Sequence, residues 1–330
     1  MDQPKIAVFG GGSWATAIVK MLTENMDKVG WYMRSDSAIR HIKKHGNNPN
    51  YISSAEFNPE KLHLSDDINE IAEYADIAIF AIPSAFLNGE LEKINVSLQD
   101  KIIFSAIKGI VPETGLIVGE HFHEVYGLSY DQIGVITGPC HAEEVALERL
   151  SYLTIACQDE EKASFLAEFL KSFYIRCKIS DDIIGTEYAA MLKNIYAISA
   201  GIAHGLGYGD NFQSVLMSNS IREMKRYIKK IHKMKRNINN SAYLGDLLVT
   251  GYSVFSRNRM FGNMIGKGYT VKSAKMEMSM VAEGYYATKS AFILNQTHAA
   301  NTPIIDTVYR ILYQGKDAKR EMAKLTELLD

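Results

Sequence analysis

Four apolar residues, Ile6, Ala7, Val8 and Phe9, run directly into Gly10, Gly11 and Gly12, and apolar positions at helical spacing follow. The pattern predicts a strand, a tight glycine turn and a helix. A second β-rich run at 29–33 comes one helix length later, as a βαβ unit requires. Further short apolar runs at 77–82, 102–106, 134–137, 152–157 and 174–179 alternate with helical patterns. This rhythm predicts a doubly wound, mostly parallel sheet covered on both faces, an α/β architecture of the Rossmann-like kind. The Asn- and Pro-containing stretch 47–59 interrupts it and reads as a loop. After Asp182 the strand-like runs cease. Phe212, Val215 and Leu216, then Met224, Tyr227, Ile228 and Ile231, recur at helical spacing. The second half therefore reads as an all-α domain, with a boundary near 180 that divides the chain into an α/β domain over 1–180 and a helical domain over 181–330.

The turn carries the first chemical signal. Gly10, Gly12 and Ala15 fit the G-x-G-x-x-G/A spacing, in which glycine lets the backbone approach a pyrophosphate and the helix N-terminus offers unpaired N–H groups. The Gly-Lys-Ser/Thr of a nucleotide triphosphate loop is missing from it. Composition narrows the class. A chain of 330 residues with 47% hydrophobic content can fill two cores. A net charge of −2 and a pI near 6.5 give no overall pull toward nucleic acid. Three cysteines without a C-x-x-C pair suit a reducing compartment better than a disulfide framework. With no leader-like run and no apolar stretch near 20 residues, the expected location is the cytoplasm, with no integral membrane segment. No metal site is expected.

In doubly wound sheets ligands gather beyond the carboxyl ends of the strands. The expected tips hold Arg34, then Pro83 and Ser84, then Lys108 and Gly109, then Gly138, Pro139 and Cys140. Pro83 and Gly138 read as turns; Lys108 would present a cation to an anionic substrate. In the helical half, polar clusters occur at Lys193 with Asn194, at 209–211, and from Gly245 and Asp246 through Ser256, Arg257, Asn258 and Arg259. Lys193 sits within an apolar helical run, so it is either at a polar edge with its stem snorkelling or buried and functional. Reduction of a ketone needs a proton donor at oxygen, which an ammonium held by a carboxylate such as Asp246 could supply. Arginine and asparagine in the 256–259 cluster suit a phosphate.

Together these stretches resemble a known family. GGGSWAT at 10–16, SAIKGI at 105–110, TGPCHAEEVA at 137–146, LKNIYAISAGIAHGLGYGD at 192–210 and GDLLVTGYSVFSRNRMFG at 245–262 are similar to NAD(P)-dependent glycerol-3-phosphate dehydrogenases of the bacterial type. The resemblance covers almost the whole chain. It implies reversible hydride transfer between NAD(P)H and dihydroxyacetone phosphate, giving sn-glycerol 3-phosphate for glycerophospholipid synthesis. It also implies that Lys193 is the catalytic acid/base, assisted by Lys108 and Asp246. Gly138, Cys140, Asn194, Ser256, Arg257 and Asn258 join those three as substrate-binding positions. Gly10, Gly12, Ser13, Trp14, Arg34, Lys108, Ala142, Arg257, Val281 and Glu283 fall at coenzyme positions. The chain departs from the family pattern at Ala15, Cys140, His141, Tyr243, Gly251 and Tyr252. The alternative is a related NAD(P)-dependent dehydrogenase for another small phosphorylated or 3-hydroxy acid substrate.

Coenzyme choice follows from the second strand. An NAD-selective site places an acid at its end, whereas here Arg34 and Ser35 stand there, so NADPH is expected to serve at least as well as NADH. Apolar faces in the helical half make a homodimer an option. The basic run 225–236 reads as a solvated helix face; its functional alternative is weak docking to an acidic partner or an anionic membrane.

Overall fold

The chain is described from a computed structural model covering residues 3–278 and 282–330; Val281 lies outside the described residues. Contacts divide it into two compact units, one formed by 1–107 with 116–183 and the other by 108–115 with 184–330. The segment Lys108–Gly115 thus belongs to the second unit although it leaves the first unit's sheet.

The first unit is built on eight strands: β1 (Ile6–Phe9), β2 (Val29–Tyr32), β3 (Leu62–Ser65), β4 (Ile77–Phe80), β5 (Ile102–Ser105), β6 (Ile133–Thr137), β7 (Ser151–Cys157) and β8 (Ile175–Ser180). They form one sheet in the order β3-β2-β1-β4-β5-β6-β7-β8. Neighbours are parallel except β6 and β7. β1, β2 and β4 are buried on both faces, which is why their sequences are nearly unbroken apolar runs. The connecting helices are α1 (Ser13–Asn25), α2 (Asp36–His45), α3 (Ile68–Tyr74), α4 (Ser84–Leu91), α5 (Val118–Tyr126), α6 (Ala142–Ala146) and α7 (Glu160–Leu170). Strand order reverses at β1, between β2 and β4, so the crevice beyond the carboxyl end of β1 is the switch point.

Seven of these strands match the apolar runs, with ends shifted by no more than two residues. The eighth, β3, is an addition. Its sequence Leu-His-Leu-Ser alternates because it lies at the sheet edge, so two apolar residues suffice to cover the core and no run is visible.

The second unit contains α8 (Ile183–Gly205), α9 (Asp210–Ile231), a π turn at Ser241–Gly245, α10 (Asp246–Tyr252), α11 (Arg257–Gly266), α12 (Val271–Glu277), α13 (Glu283–His298), α14 (Pro303–Tyr313) and α15 (Ala318–Thr326). Residues 188–203 of α8 are all buried, so this helix is the axis of the unit. Along α9, Leu216, Met224, Tyr227 and Ile228 face the core, but Val215 points outward, 41% exposed, contrary to the face its spacing suggested. Glu223 of α9 accepts hydrogen bonds from the Ile304 and Ile305 N–H groups at 2.8 and 3.0 Å and so caps α14. Burial pushes its carboxyl up to about 8, against the pull of those two donors.

Two glycine pairs bring α8 and α11 into backbone contact. A Cβ on Gly201 would fall 2.1 Å from the Arg259 carbonyl oxygen, and one on Gly262 would fall 2.1 Å from that of Ile198. Gly205 and Gly266 repeat the arrangement one turn on, at 2.4 Å from Asn263 O and 2.3 Å from Ile202 O. Side chains at these four positions would force the helices apart. Gly201→Ala is therefore expected to lower stability by about 1–3 kcal/mol through backbone overpacking. Gly89→Ala in α4, where an added methyl meets nothing within 4 Å, should leave stability equal or raise it by up to about 1 kcal/mol. Urea unfolding midpoints of the two variants provide the comparison.

Candidate active site

The glycine turn is held open from three sides. Gly10 has φ +133° and its Cβ would meet the Ala81 carbonyl at 2.5 Å, so no side chain fits there. Its own carbonyl accepts from Trp31 Nε1 at 2.7 Å, while Asn48 Nδ2 donates to Gly11 O and Thr16 Oγ1 at 3.1 and 2.9 Å. A Cβ on Gly12 would meet nothing within 4 Å. Open space therefore lies at the N-terminus of α1, whose first residues are Ser13 and Trp14, and this suits a coenzyme pyrophosphate. The stretch that sequence pattern treats only as an interruption thus contributes Asn48, a brace for the turn.

At the carboxyl ends of β2 and β3 is a cavity of about 500 Å³ whose lining includes Tyr32, Arg34, Asp66, Asp67 and Lys93. Arg34, with its side chain 65% exposed, lies 3.6 Å from Glu90 Oε1 and 5.9 Å above the Phe86 ring. Glu90 is buried and engaged at both oxygens: Lys93 Nζ donates to Oε1 at 2.8 Å and the Tyr32 hydroxyl to Oε2 at 2.6 Å. Burial opposes its ionisation, but those two hydrogen bonds prevail and hold the carboxyl below the usual range. Glu90 and Phe86, neither singled out by sequence pattern, both lie against Arg34. Their signal was only their place in α4, one helix after a strand tip.

Beyond β6, Gly138 has φ +111° and its Cβ would sit 2.8 Å from Tyr152 O. Cys140 is buried beside it, and Ala142 begins α6. These three residues belong to the first unit.

The second unit gathers the cations. Lys193, on α8, is 3% exposed and donates to Asp246 Oδ1, the first side chain of α10. The residue type and spacing left its placement open; it is buried. Lys108 Nζ stands 3.8 Å from the other carboxylate oxygen, Oδ2, which is buried and has no hydrogen-bond partner among the described residues. Asn194 Nδ2 donates to the Lys108 carbonyl at 3.0 Å, tying the segment Lys108–Gly115 to α8. Burial lowers the Lys193 pKa, Asp246 pulls it back up and the like charge of Lys108 pushes it down again, for a net fall.

The 256–258 cluster lies at the start of α11. Ser256 caps that helix by accepting from Arg259 N at 3.2 Å, and Arg257 is its first residue. Asn258 Oδ1 accepts from Gly284 N at 2.9 Å and so caps α13, which begins at Glu283. A Cβ on Gly284 would fall 2.6 Å from Asn194 O, placing this cap directly against α8 next to Lys193. The glycine pairs of α8 and α11 were the missed signal here, since small residues four apart on two helices mark a close crossing. Gly251, where the family pattern has a larger residue, is matched to Met217, whose Sδ would be 2.6 Å from an added Cβ.

Comparison with known proteins adds an independent finding. Family models described as the N-terminus and C-terminus of NAD-dependent glycerol-3-phosphate dehydrogenase match residues 5–163 and 182–323. The chain is 34% identical over 322 residues to a glycerol-3-phosphate dehydrogenase [NAD(P)+] from an Exiguobacterium species, covering 97% of this chain and 94% of that one. It is 32% identical over 323 residues to the protein of the same description from Macrococcus caseolyticus, covering 97% of each. A crystal structure of glycerol-3-phosphate dehydrogenase from Coxiella burnetii superposes with a TM-score of 0.90 at 28% identity, over 98% of this chain and 99% of that one.

The electrostatics of the cluster yield a direct test. Replacing Lys108 by Met removes the like charge that helps depress Lys193, so the Lys193 pKa should rise. Titration of isotopically labelled lysine Nζ by NMR measures this, and an unchanged or lower value would mean that the second ammonium is not felt.

Proposed function

The chain belongs to the NAD-dependent glycerol-3-phosphate dehydrogenase family, and on that premise we propose that it interconverts dihydroxyacetone phosphate and sn-glycerol 3-phosphate with NADH or NADPH. The observation that carries this reading is the buried Lys193–Asp246 pair with Lys108 on the idle carboxylate oxygen. A nicotinamide coenzyme, when bound, would supply or accept the hydride. Lys193 donates a proton to the carbonyl oxygen during reduction and takes it back during oxidation. A depressed pKa suits both tasks, because each protonation state is then accessible near neutral pH. Asp246 keeps the ammonium aimed, and Lys108 adds positive charge where the oxyanion develops.

The substrate phosphate is assigned to Arg257 and the N–H groups at the start of α11, with Asn258 held beside them by its bond to Gly284. In the first unit, Gly10, Gly12, Ser13 and Trp14 would hold the pyrophosphate and Arg34 the adenosine end; Ala142 and Glu283 are assigned to the coenzyme as well. Gly138 and Cys140 are assigned to the substrate. Cys140 offers a thiol where the family pattern has a hydroxyl. Among the described residues no helix is long and apolar enough to cross a membrane. The product is a glycerophospholipid precursor, and the cytoplasm is the proposed site of the reaction.

Steady-state kinetics test these assignments. Oxidation of NADPH with dihydroxyacetone phosphate should be robust, and Lys193→Ala should lower kcat by roughly 10² to 10⁴ with coenzyme affinity nearly intact. Near-normal turnover in that variant would place the proton on another group, while a stronger response to another ketone in a substrate panel would favour a different dehydrogenase. Arg34→Ala should raise KM for NADPH more than for NADH; an equal loss for both refutes the selectivity argument.

A further inference from the structure

The C-terminal part of α9 and the segment after it concentrate positive charge to a degree that the rest of the chain does not. Lys225, Arg226, Lys229, Lys230, Lys233, Lys235 and Arg236 fall within twelve residues, and no carboxylate occurs between Glu223 and Asp246. The whole chain carries 36 basic and 38 acidic side chains, so this surface opposes the sign of the remainder. On α9 the cations lie opposite the buried face made by Met224, Tyr227 and Ile228. Ile228, whose position in sequence allowed either an interfacial or a core role, belongs to the core at 1% exposure.

The five lysines are exposed, and among the described residues none of them has an ion pair or hydrogen bond. The arginines differ: Arg226 Nε donates to Asn301 O at 3.2 Å, and Arg236 to His232 O at 2.7 Å. One turn earlier Arg222 is neutralised by Asp330 at 2.5 Å, which marks the edge of the patch. From Lys225 to the end of the helix the axial rise is only about 9 Å, so these charges can act together on a flat surface within roughly one Debye length. Ile231 and Met234 are half-buried among the lysines and offer short apolar contacts.

We propose that this surface docks the protein, reversibly and by electrostatic attraction, on a bilayer rich in anionic phospholipid. The chemistry favours a charged plane over nucleic acid. The free cations are lysines, which act as point charges, whereas both arginines are engaged by backbone carbonyls. No exposed aromatic ring lies among them for a base to stack on, since Tyr227 is buried and its hydroxyl donates to Ala291 O at 3.0 Å. Clusters of four to eight basic residues on a helix bind anionic leaflets, each residue near the surface contributing about fivefold in partitioning. The docking is independent of the reaction assigned above, because none of these lysines is placed in the catalytic or binding machinery.

Flotation of the full chain with vesicles provides the test. Vesicles of phosphatidylcholine containing about a third phosphatidylglycerol should carry the protein up the gradient, vesicles of phosphatidylcholine alone should not, and raised salt should release it. The variant Lys225→Gln/Lys229→Gln/Lys230→Gln should lose roughly 100-fold in partitioning while keeping its melting temperature and its dihydroxyacetone phosphate reductase rate. Equal recovery with both vesicle types, or none with either, overturns the proposal, as does preferential capture by a DNA or RNA duplex that displaces the vesicles. A chain that floats but does not reduce dihydroxyacetone phosphate would leave the docking standing and remove the assigned reaction instead.

Discussion

Two ammonium groups sharing one buried carboxylate set the terms for the second unit. Lys193 and Asp246 form a pair that water scarcely reaches, and Lys108 adds a further positive charge at the opposite oxygen. Such a cluster is costly to desolvate and is tolerable only when its geometry is fixed and its charges are opposed. The excess positive charge suits an anionic ligand and an oxygen that becomes negative as it reacts. The surrounding helices fix that geometry. Glycine-lined contact between α8 and α11, the Asn258 bond to α13 and the Asn194 bond to the Lys108 backbone all converge on one face of α8.

The first unit meets a different demand. Its glycine turn depends on an accurately shaped backbone rather than on side-chain chemistry, and three unrelated parts of the chain shape it. Ala81 closes off the space behind Gly10, Trp31 engages its carbonyl, and Asn48 reaches the turn from a loop. Beyond the carboxyl end of β2, Glu90 performs a comparable service for side chains. Lys93 and Tyr32 each donate to one of its oxygens, and the cavity nearby is lined by the cations Arg34 and Lys93 together with the acids Asp66 and Asp67.

Sequence pattern reveals features that repeat locally and conceals those that depend on distant partners. The apolar runs of β1, β2 and β4 were legible because strands covered on both faces leave no polar positions. Edge strand β3 was not, because one covered face needs only Leu62 and Leu64. Lys193 was legible as a residue of interest but not as a buried one: its environment is made by Asp246, 53 residues away. Glu90 and Asn48 carried no motif, since each works through a partner 32 to 58 residues distant. The family resemblance pointed to Ser256 and Asn258 as residues of interest, whereas their capping of α11 and α13 emerged only from the helices they begin.

The excursion of Lys108–Gly115 has an evolutionary corollary. Recombination between two such genes at the linker near residue 183 would look like a clean exchange of halves, yet the hybrid would inherit Lys108 from one parent and both Lys193 and Asp246 from the other. Asn194 would likewise have to recognise a foreign backbone. A hybrid that keeps this cluster intact must therefore take the short excursion together with the helical half, making the inheritable cassette discontinuous even though the polypeptide is read in a single direction.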